Sequence, residues 1–183
     1  VLCVDKTGTI TEPDMKVEDV FLCKGVNSSI NYSDFEKLLF SYALASKDNN
    51  ATMQALKEYS NKERIKESLG SPVKVLPFSS SLKYGSIRFE DGCYVLGAPE
   101  IILKDNFISF ENEILAFTEK GSRVLLFAKY EGSDIEDGIN GNVTPIGFIA
   151  FSNPIRENAI DTFNYFKSQG VDIKVISGDN PLT

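Results

Sequence analysis

The sequence predicts an α/β unit that is interrupted by an inserted α+β unit built on an antiparallel sheet. A short apolar run at 1–4, ended by Asp5, is typical of a buried parallel strand with polar residues at its carboxyl end. The range 154–177 has the helix-then-strand pattern of α/β folds. Between them, the β-rich range 73–97 contains the turn dipeptide Asp91-Gly92, which favours antiparallel hairpin pairing.

These patterns divide the chain into two lobes. The two ends, 1–14 and 145–183, belong to the α/β lobe, and 15–144 forms the inserted lobe. We expect both chain ends to be cuts through a longer protein, because there is no initiator methionine and the last residues follow a strand and a turn.

The first elements of the inserted lobe are a strand and two helices. The strand at 15–22 shows alternating apolar residues. The capping-box pattern at 33–36 predicts a helix that begins at Ser33 and runs to about Ser46. A second helix is expected to begin after Asn50 as its N-cap and to continue through Tyr59.

The remaining elements follow in chain order from turn and helix signals. Hairpin strands are predicted at 73–78, 82–90 and 93–97, helices at 99–103 and 109–120, strands at 122–130 and 146–151, a helix at 154–169 and a strand at 171–177. The range 131–142 is polar and is predicted to be a loop. In the last helix, Ile160, Phe163 and Phe166 are predicted to face inward, and Gly170 to end it.

The composition excludes several kinds of chemistry. The chain has 183 residues, a net charge of −7 and no histidine, so nucleic acid is not an expected partner and imidazole-based catalysis has no residue to use. Its three cysteines, Cys3, Cys23 and Cys93, are too widely spaced for a metal or redox pair. The longest apolar runs are far shorter than the roughly 20 residues of a membrane helix. We expect this stretch of chain to be soluble and monomeric.

Asp5-Lys6-Thr7-Gly8-Thr9 is the segment with the clearest chemical signal. Its carboxylate directly follows a strand, and α/β folds place ligands at the carboxyl ends of their strands. An aspartate can act as a covalent nucleophile in phosphoryl transfer when Mg²⁺ and positive groups neutralise the charge. The residues alone leave open a second interpretation, in which Asp5 merely begins a turn.

The same pentapeptide resembles the phosphorylation motif of the P-type ATPases, ion pumps of the haloacid dehalogenase-like superfamily. Further segments resemble motifs of that family in the same order along the whole chain: 77–80 with Lys83, 96–100, Arg123, 153–156 and 177–180. The resemblance is to calcium-type and related bacterial cation pumps. It implies that 15–144 is a nucleotide-binding domain inserted into part of a Rossmann-like phosphorylation domain.

The resemblance implies a phosphorylation site around Asp5. Asp5 would be the phosphorylated residue and a Mg²⁺ ligand, and the backbone carbonyl of Thr7 a second ligand. Arg156 and Asp179 would join the catalytic hydrogen-bond network. The residues that would surround the phosphate are Thr7, Gly8, Ser177 and Gly178.

The resemblance also implies a nucleotide site in the inserted lobe. The residues assigned to it are Asn50, Phe78, Lys83, Leu96, Gly97 and Arg123. Phe78 would stack on adenine, although a phenylalanine in a strand is more commonly a core residue. Leu96 and Asn50 stand where the family commonly has charged residues, so weak nucleotide binding is expected.

For the whole protein, the resemblance implies an ATP-driven cation pump of the cell membrane. ATP would bind this cytoplasmic part, its γ-phosphate would pass to Asp5, and actuator and transmembrane domains would complete the pump; the part alone would bind ATP or ADP without efficient turnover. Thr7 stands where related phosphatases have a second aspartate, so slow hydrolysis of the aspartyl phosphate is expected. A soluble capped phosphatase and a non-catalytic binding module are the alternatives.

Overall fold

The computed structural model describes residues 1–25, 30–62, 68–132 and 138–176. The strands are β1 (Leu2–Asp5), β2 (Lys16–Leu22), β3 (Lys74–Ser79), β4 (Tyr84–Phe89), β5 (Gly92–Gly97), β6 (Arg123–Tyr130), β7 (Val143–Ser152) and β8 (Ile173–Ile176). The α-helices are α1 (Tyr32–Ala45), α2 (Ala51–Lys62), α3 (Pro99–Leu103), α4 (Glu111–Thr118) and α5 (Ala159–Ser168). A π-type turn spans Lys6–Ile10, and a 3-10 helix spans Lys104–Phe110.

The strands form two separate sheets. β1 and β8 pair in parallel, with Leu2 opposite Ile173 and Asp5 opposite Ile176. The other six strands have the order β2-β7-β6-β5-β4-β3, and every neighbouring pair is antiparallel. The predicted combination of a parallel pair from the chain ends and an antiparallel sheet from the middle is confirmed.

β7 crosses the lobe boundary that the sequence predicts at 144/145. The whole strand, Val143–Ser152, lies between β2 and β6 in the six-stranded sheet. The run of buried residues Ile146–Phe151 therefore belongs to this sheet and not to the lobe of β1 and β8. A boundary after Ser152 agrees with the sheet, whereas one at 144 cuts a central strand.

Helices cover both faces of the six-stranded sheet. On one face, α1 and α2 bury residues such as Phe35, Leu39 and Leu56 against Phe127. Tyr94 stacks on Phe127 in this layer with ring centroids 5.6 Å apart. On the other face, α3, the 3-10 helix and α4 pack against a second cluster that includes Phe148. The sheet is therefore the middle layer of three, with a core on each side.

The helix starts follow cap chemistry, with one shift from the prediction. Asn31, and not Ser33, is the N-cap of α1, because its side chain accepts a hydrogen bond from Asp34 N at 2.9 Å. Asn50 caps α2 as predicted, accepting from Met53 N at 2.9 Å.

Two further predicted boundaries are shifted. Phe89 pairs with Gly92, so the two-residue turn is Glu90-Asp91 and not Asp91-Gly92. The helix predicted over 109–120 begins as an α-helix at Glu111, because residues through Phe110 belong to the preceding 3-10 helix. Of the loop predicted over 131–142, residues 133–137 lie outside the described ranges.

α5 is shorter than the helix predicted over 154–169. It begins at Ala159, and Ile160 is 68% exposed rather than inward-facing. The physical reason is that Ile155 pairs with Thr11 in an isolated β-bridge, so this stretch joins the segment after β1 instead of turning into a helix. Gly170 follows the helix with a φ of +68°, as its predicted terminating role requires.

Among the residues that the structure describes, we find no helix with both the length and the apolar character that crossing a bilayer requires.

Candidate functional site

Asp5 is an exposed residue at the carboxyl end of β1. The chain then forms the Lys6–Ile10 turn, which closes with a hydrogen bond from Thr11 N to Lys6 O at 3.1 Å. Gly8 has a φ of +79°, in the left-handed region where glycine is strongly preferred. The strand and the turn together present the Asp5 carboxylate to solvent.

Thr11 organises this turn from inside, and the sequence did not predict its role. Its buried hydroxyl accepts a hydrogen bond from Gly8 N at 3.2 Å and lies 3.4 Å from Lys6 O, to which it donates. The Gly8 N–H is therefore bound within the turn instead of pointing at a ligand. The threonine after the motif has no distinctive spacing, so only the folded turn shows what it does.

Arg156, which follows β7 in the chain, forms hydrogen bonds with the same turn. Its guanidinium donates from Nε to Thr9 O at 3.1 Å and from Nη2 to Gly8 O at 3.0 Å, and its Nη1 lies 3.5 Å from a carboxylate oxygen of Glu12. Its backbone N donates to Ile10 O at 3.0 Å. Arg156 precedes α5, which corrects the prediction that it lies in the first turn of a helix. The structure thus brings Arg156 beside the Asp5 segment, while its predicted place in a catalytic hydrogen-bond network stays a prediction.

Part of the predicted phosphorylation site falls outside the described residues. Ser177, Gly178 and Asp179 lie there, and the side chain of Thr7 is not described either. Because Asp5 is opposite Ile176, the last described residue of β8, the chain leaves β8 beside Asp5. The roles assigned to Thr7, Ser177, Gly178 and Asp179 stay predictions.

A second group of predicted site residues gathers at one end of the six-stranded sheet. β3 ends at Ser79 and β4 begins at Tyr84, which pairs with Gly97 at the end of β5. Arg123 begins β6 and pairs with Phe151 near the end of β7. This is the end at which β2 begins and β7 ends, so both connections to the Asp5 segment leave from it.

Phe78 is 44% exposed at this end. The ordinary expectation for a strand phenylalanine, a place in the core, is therefore wrong here. Its backbone N donates to both carboxylate oxygens of Asp48, at 3.1 and 3.3 Å. Asp48 lies in the loop before Asn50, so the structure brings Phe78 near the exposed start of α2.

Lys83 and Arg123 are exposed cations at the same end of the sheet. Lys83 has a φ of +63°, and its backbone N donates to Ser79 O at 2.7 Å, which closes the β3–β4 turn. Its backbone O accepts from Ala98 N at 3.0 Å. The β3–β4 turn, which follows Phe78 and is bonded to the residue after β5, therefore contains one positively charged residue, Lys83.

Leu96 and Gly97 both have structural tasks near the end of β5. Leu96 is 4% exposed and belongs to the core cluster under α1 and α2, so its side chain is not part of an exposed binding surface. A Cβ atom on Gly97 would lie 2.4 Å from Lys83 O and from Tyr84 Cβ. Gly97 therefore permits the close approach of β5 to the β3–β4 turn.

Two of the three cysteines, Cys23 and Cys93, have thiols with raised pKa values. Burial raises the pKa of Cys23 strongly, with a smaller contribution from Glu113, and burial also raises the pKa of Cys93. Thiolates are the reactive form of cysteine, so the raised pKa values disfavour both side chains as nucleophiles.

Comparison with known proteins finds relatives that match the whole chain. No family model matches the chain. It is 37% identical over 187 residues to a probable cation-transporting ATPase of Streptococcus pneumoniae and 33% identical over 189 residues to the calcium-transporting ATPase CtpE of Mycobacterium tuberculosis. In both cases the match covers 100% of this chain and 22% of the relative.

A solved structure has a similar fold. A crystal structure of a zinc-transporting PIB-type ATPase in the E2.Pi state matches 98% of this chain, and 26% of its own, with a TM-score of 0.65 and 18% identity. The similarity to that structure concerns the fold alone. The chain is homologous to one segment of the two cation-transporting ATPases named above, and it spans about a fifth of their length.

Proposed function

We propose that this chain is the catalytic cytoplasmic segment of a membrane cation pump, in which bound ATP phosphorylates Asp5. The observation that supports it most is the Asp5 segment: an exposed carboxylate at a strand end, followed by a turn whose carbonyls Arg156 binds from the far end of the chain. The relatives are named for ATP-driven cation transport.

In this proposal Asp5 is the nucleophile. A carboxylate oxygen of Asp5 attacks the γ-phosphorus of ATP, a new P–O bond forms, and the bond to the β,γ-bridging oxygen breaks with its electron pair leaving on ADP. Arg156 orders the turn and contributes positive charge close to it, since its donors are bound to Gly8, Thr9 and Glu12. Thr7 in place of a second aspartate leaves the aspartyl phosphate without a built-in general base.

ATP itself would bind at the end of the six-stranded sheet. Phe78 offers an exposed aromatic face for adenine, and Lys83 and Arg123 supply positive charge for the phosphates. Asn50 uses its side-chain oxygen to cap α2, which leaves its amide group as a donor. Since both connections to the Asp5 segment leave from this end, nucleotide bound here would lie on the side of the sheet nearest the acceptor.

The donor set suits Mg²⁺ carried by the nucleotide. Within the described ranges, no group of three or more acidic or cysteine residues could hold a cation by itself. Mg²⁺ is commonly held by one or two carboxylates together with substrate phosphates, and Asp5 and the Thr7 carbonyl are the predicted protein ligands. When bound, the ion would neutralise charge during transfer.

The domain division follows the same proposal. Residues 1–14 and 153–183 would be part of a Rossmann-like phosphorylation domain, and 15–152 the nucleotide-binding domain, with the second boundary moved to the end of β7. The actuator and transmembrane domains of the full-length pump would be the partners of this segment.

The experiment is to incubate the full-length protein with labelled ATP and Mg²⁺ and to measure acid-stable, hydroxylamine-labile phosphoenzyme. Asp5→Asn should abolish it, because an amide is not a nucleophile here, while ATP binding stays near normal. Asp14→Asn, which removes another exposed carboxylate of the same stretch, is the matched control and should leave phosphorylation intact. Phosphoenzyme that persists in Asp5→Asn would refute the assignment.

A further inference from the structure

The exposed position of Phe78 is produced by a bulge in β3. The pairing of β3 with β4 shifts between Leu76 and Ser79, so Pro77 and Phe78 have no partners in the ladder. Pro77 has no N–H to satisfy, but the N–H of Phe78 needs an acceptor. Asp48 provides it with both carboxylate oxygens.

A glycine on the neighbouring strand makes room for this bulge. A Cβ atom on Gly85 would lie 3.0 Å from Phe78 N and 3.2 Å from both Phe78 Cα and Leu76 O. These distances are shorter than ordinary contacts to backbone atoms, so a side chain at 85 would push the bulge away from β4. The bulge is therefore encoded by three residues together: a proline, a glycine across from it and an aspartate in another loop.

Asp48 is itself held in place. Its backbone N donates to Ser46 Oγ at 3.1 Å, and that hydroxyl, which is buried, donates back to Asp48 Oδ2 at 3.3 Å. Lys57 Nζ lies 3.4 Å from Ser46 O, to which it donates from α2. The carboxylate thus joins the α1–α2 loop to the backbone of Phe78.

We infer that Asp48 is a positioning residue for the nucleotide base: it fixes the bulged backbone so that the Phe78 ring stays exposed and oriented beside the start of α2. This inference rests on the proposed nucleotide site. A ring that is already held in its binding orientation loses less conformational freedom when a base stacks on it, so the anchor raises affinity without touching the ligand. The effect should concern the base and not the phosphates.

The test measures the dissociation constants of ATP and of inorganic tripolyphosphate for the 183-residue chain by calorimetry or NMR titration. Asp48→Ala should weaken ATP binding by about 3- to 10-fold, the range expected for one lost hydrogen bond. Tripolyphosphate binding should not change. Asp48→Asn keeps an oxygen acceptor and should restore most of the ATP affinity.

A double variant tests whether Asp48 acts through Phe78. Phe78→Ala alone should weaken ATP binding by about 5- to 150-fold, and adding Asp48→Ala to it should cause no further loss. The matched control is Asp91→Ala, which removes an exposed carboxylate from the β4–β5 turn at the other end of the sheet. If Asp48→Ala does not fold, Asp48→Ser replaces it, because a serine hydroxyl is too short to reach Phe78 N.

Separate results overturn the inference and the proposed function. If the unaltered chain does not bind ATP, the proposed nucleotide site is wrong and the inference falls with it. If ATP binds and Phe78→Ala weakens it, but Asp48→Ala behaves like Asp91→Ala or adds fully to Phe78→Ala, the inference alone is wrong.

Discussion

The six-stranded sheet and the β1–β8 pair differ in where their apolar residues lie. The sheet is buried on both faces, and its central strands β6 and β7 contain fully buried residues such as Phe127 and Phe148. By contrast, neither core cluster includes a described residue of β1, α5 or β8. Val175 and Ile176 of β8 are more than half exposed.

Within this 183-residue chain, different interactions therefore hold the two regions. The sheet and its helices have enough buried apolar surface to hold themselves together, whereas the Asp5 segment is held by its pairing with β8 and by polar bonds to 153–156. A region without a core of its own is expected to open at lower free energy than the sheet. The predictions below test this contrast.

The largest effect should come from cutting the chain inside β7. A polypeptide of residues 12–152 should fold cooperatively, because it contains the whole sheet, whereas residues 12–144 should be unfolded or aggregate without most of a central strand. Circular dichroism on heating and the dispersion of amide NMR signals distinguish the two. Equal folding of both polypeptides would contradict the strand order.

The second-largest effect should come from shortening an apolar side chain, and the loss of stability should differ between the two regions. Phe127→Ala, at the centre of the α1 and α2 face, should cost about 3–5 kcal/mol of unfolding free energy. Phe163→Ala, at a half-buried position of α5, should cost about 1 kcal/mol or less. Urea unfolding of the chain measures both. Similar losses would mean that α5 has a core of its own.

Alkaline pH should lower the free energy of unfolding through Tyr42, a residue of α1 that is buried against the six-stranded sheet. Burial, and secondarily the charge of Asp48, raises the pKa of the Tyr42 hydroxyl above its usual range, so the unfolded chain loses this proton first as pH rises. The contribution of Tyr42 to the free energy of unfolding is therefore fully present below about pH 10. Above that pH it falls by about 1.4 kcal/mol per pH unit.

The measurement is urea unfolding between pH 9 and 11, and Tyr42→Phe should flatten the decline by about that slope. Tyr165→Phe, on the exposed side of α5, is the control for loss of a tyrosine hydroxyl. An identical decline in the unaltered chain and in Tyr42→Phe would show that Tyr42 does not report on folding.

The smallest effect concerns helix caps. Asn50→Ala should cost about 1 kcal/mol because it removes the acceptor for Met53 N, and Asn50→Ser should recover most of that loss. Asn158 precedes α5 without a side-chain cap hydrogen bond, so Asn158→Ala should be nearly neutral. Thermal unfolding of the variants checks both. An equal loss of stability at the two positions would contradict the view that only Asn50 stabilises its helix as a cap.

Local patterns predicted most of the elements because their causes are local. The strand before Asp5, the Asn50 cap and the Pro99 helix depend on neighbouring residues, and the structure confirms them. The sequence did not assign the strand at 146–151 to the six-stranded sheet, because nothing in that strand tells which sheet it joins. β7 pairs there with two strands: β6, which precedes it in the chain, and β2, which lies more than 120 residues away in sequence.

The site was predicted less completely, for a similar reason. A motif match assigned Leu96 to the nucleotide, but the alternation of β5 places it in the core. Asp48 and Thr11 were missed because their partners, Phe78 N and the Asp5 turn, are defined only by the fold. Arg156 was associated with the Asp5 segment by motif order, while its bonds to two carbonyls follow from the β-bridge next to it.

The hydrogen bonds from Arg156 to the Asp5 turn have a consequence for the order of folding. Its bonds to Thr9 and Gly8 join residues 147 and 148 positions apart, with the entire sheet region between them. Contacts of such long sequence separation form slowly, because the intervening chain must first become compact. We therefore expect the Asp5 turn to be completed only once the intervening chain is compact, and a nascent chain that has not yet folded its larger part would carry an incomplete Asp5 turn.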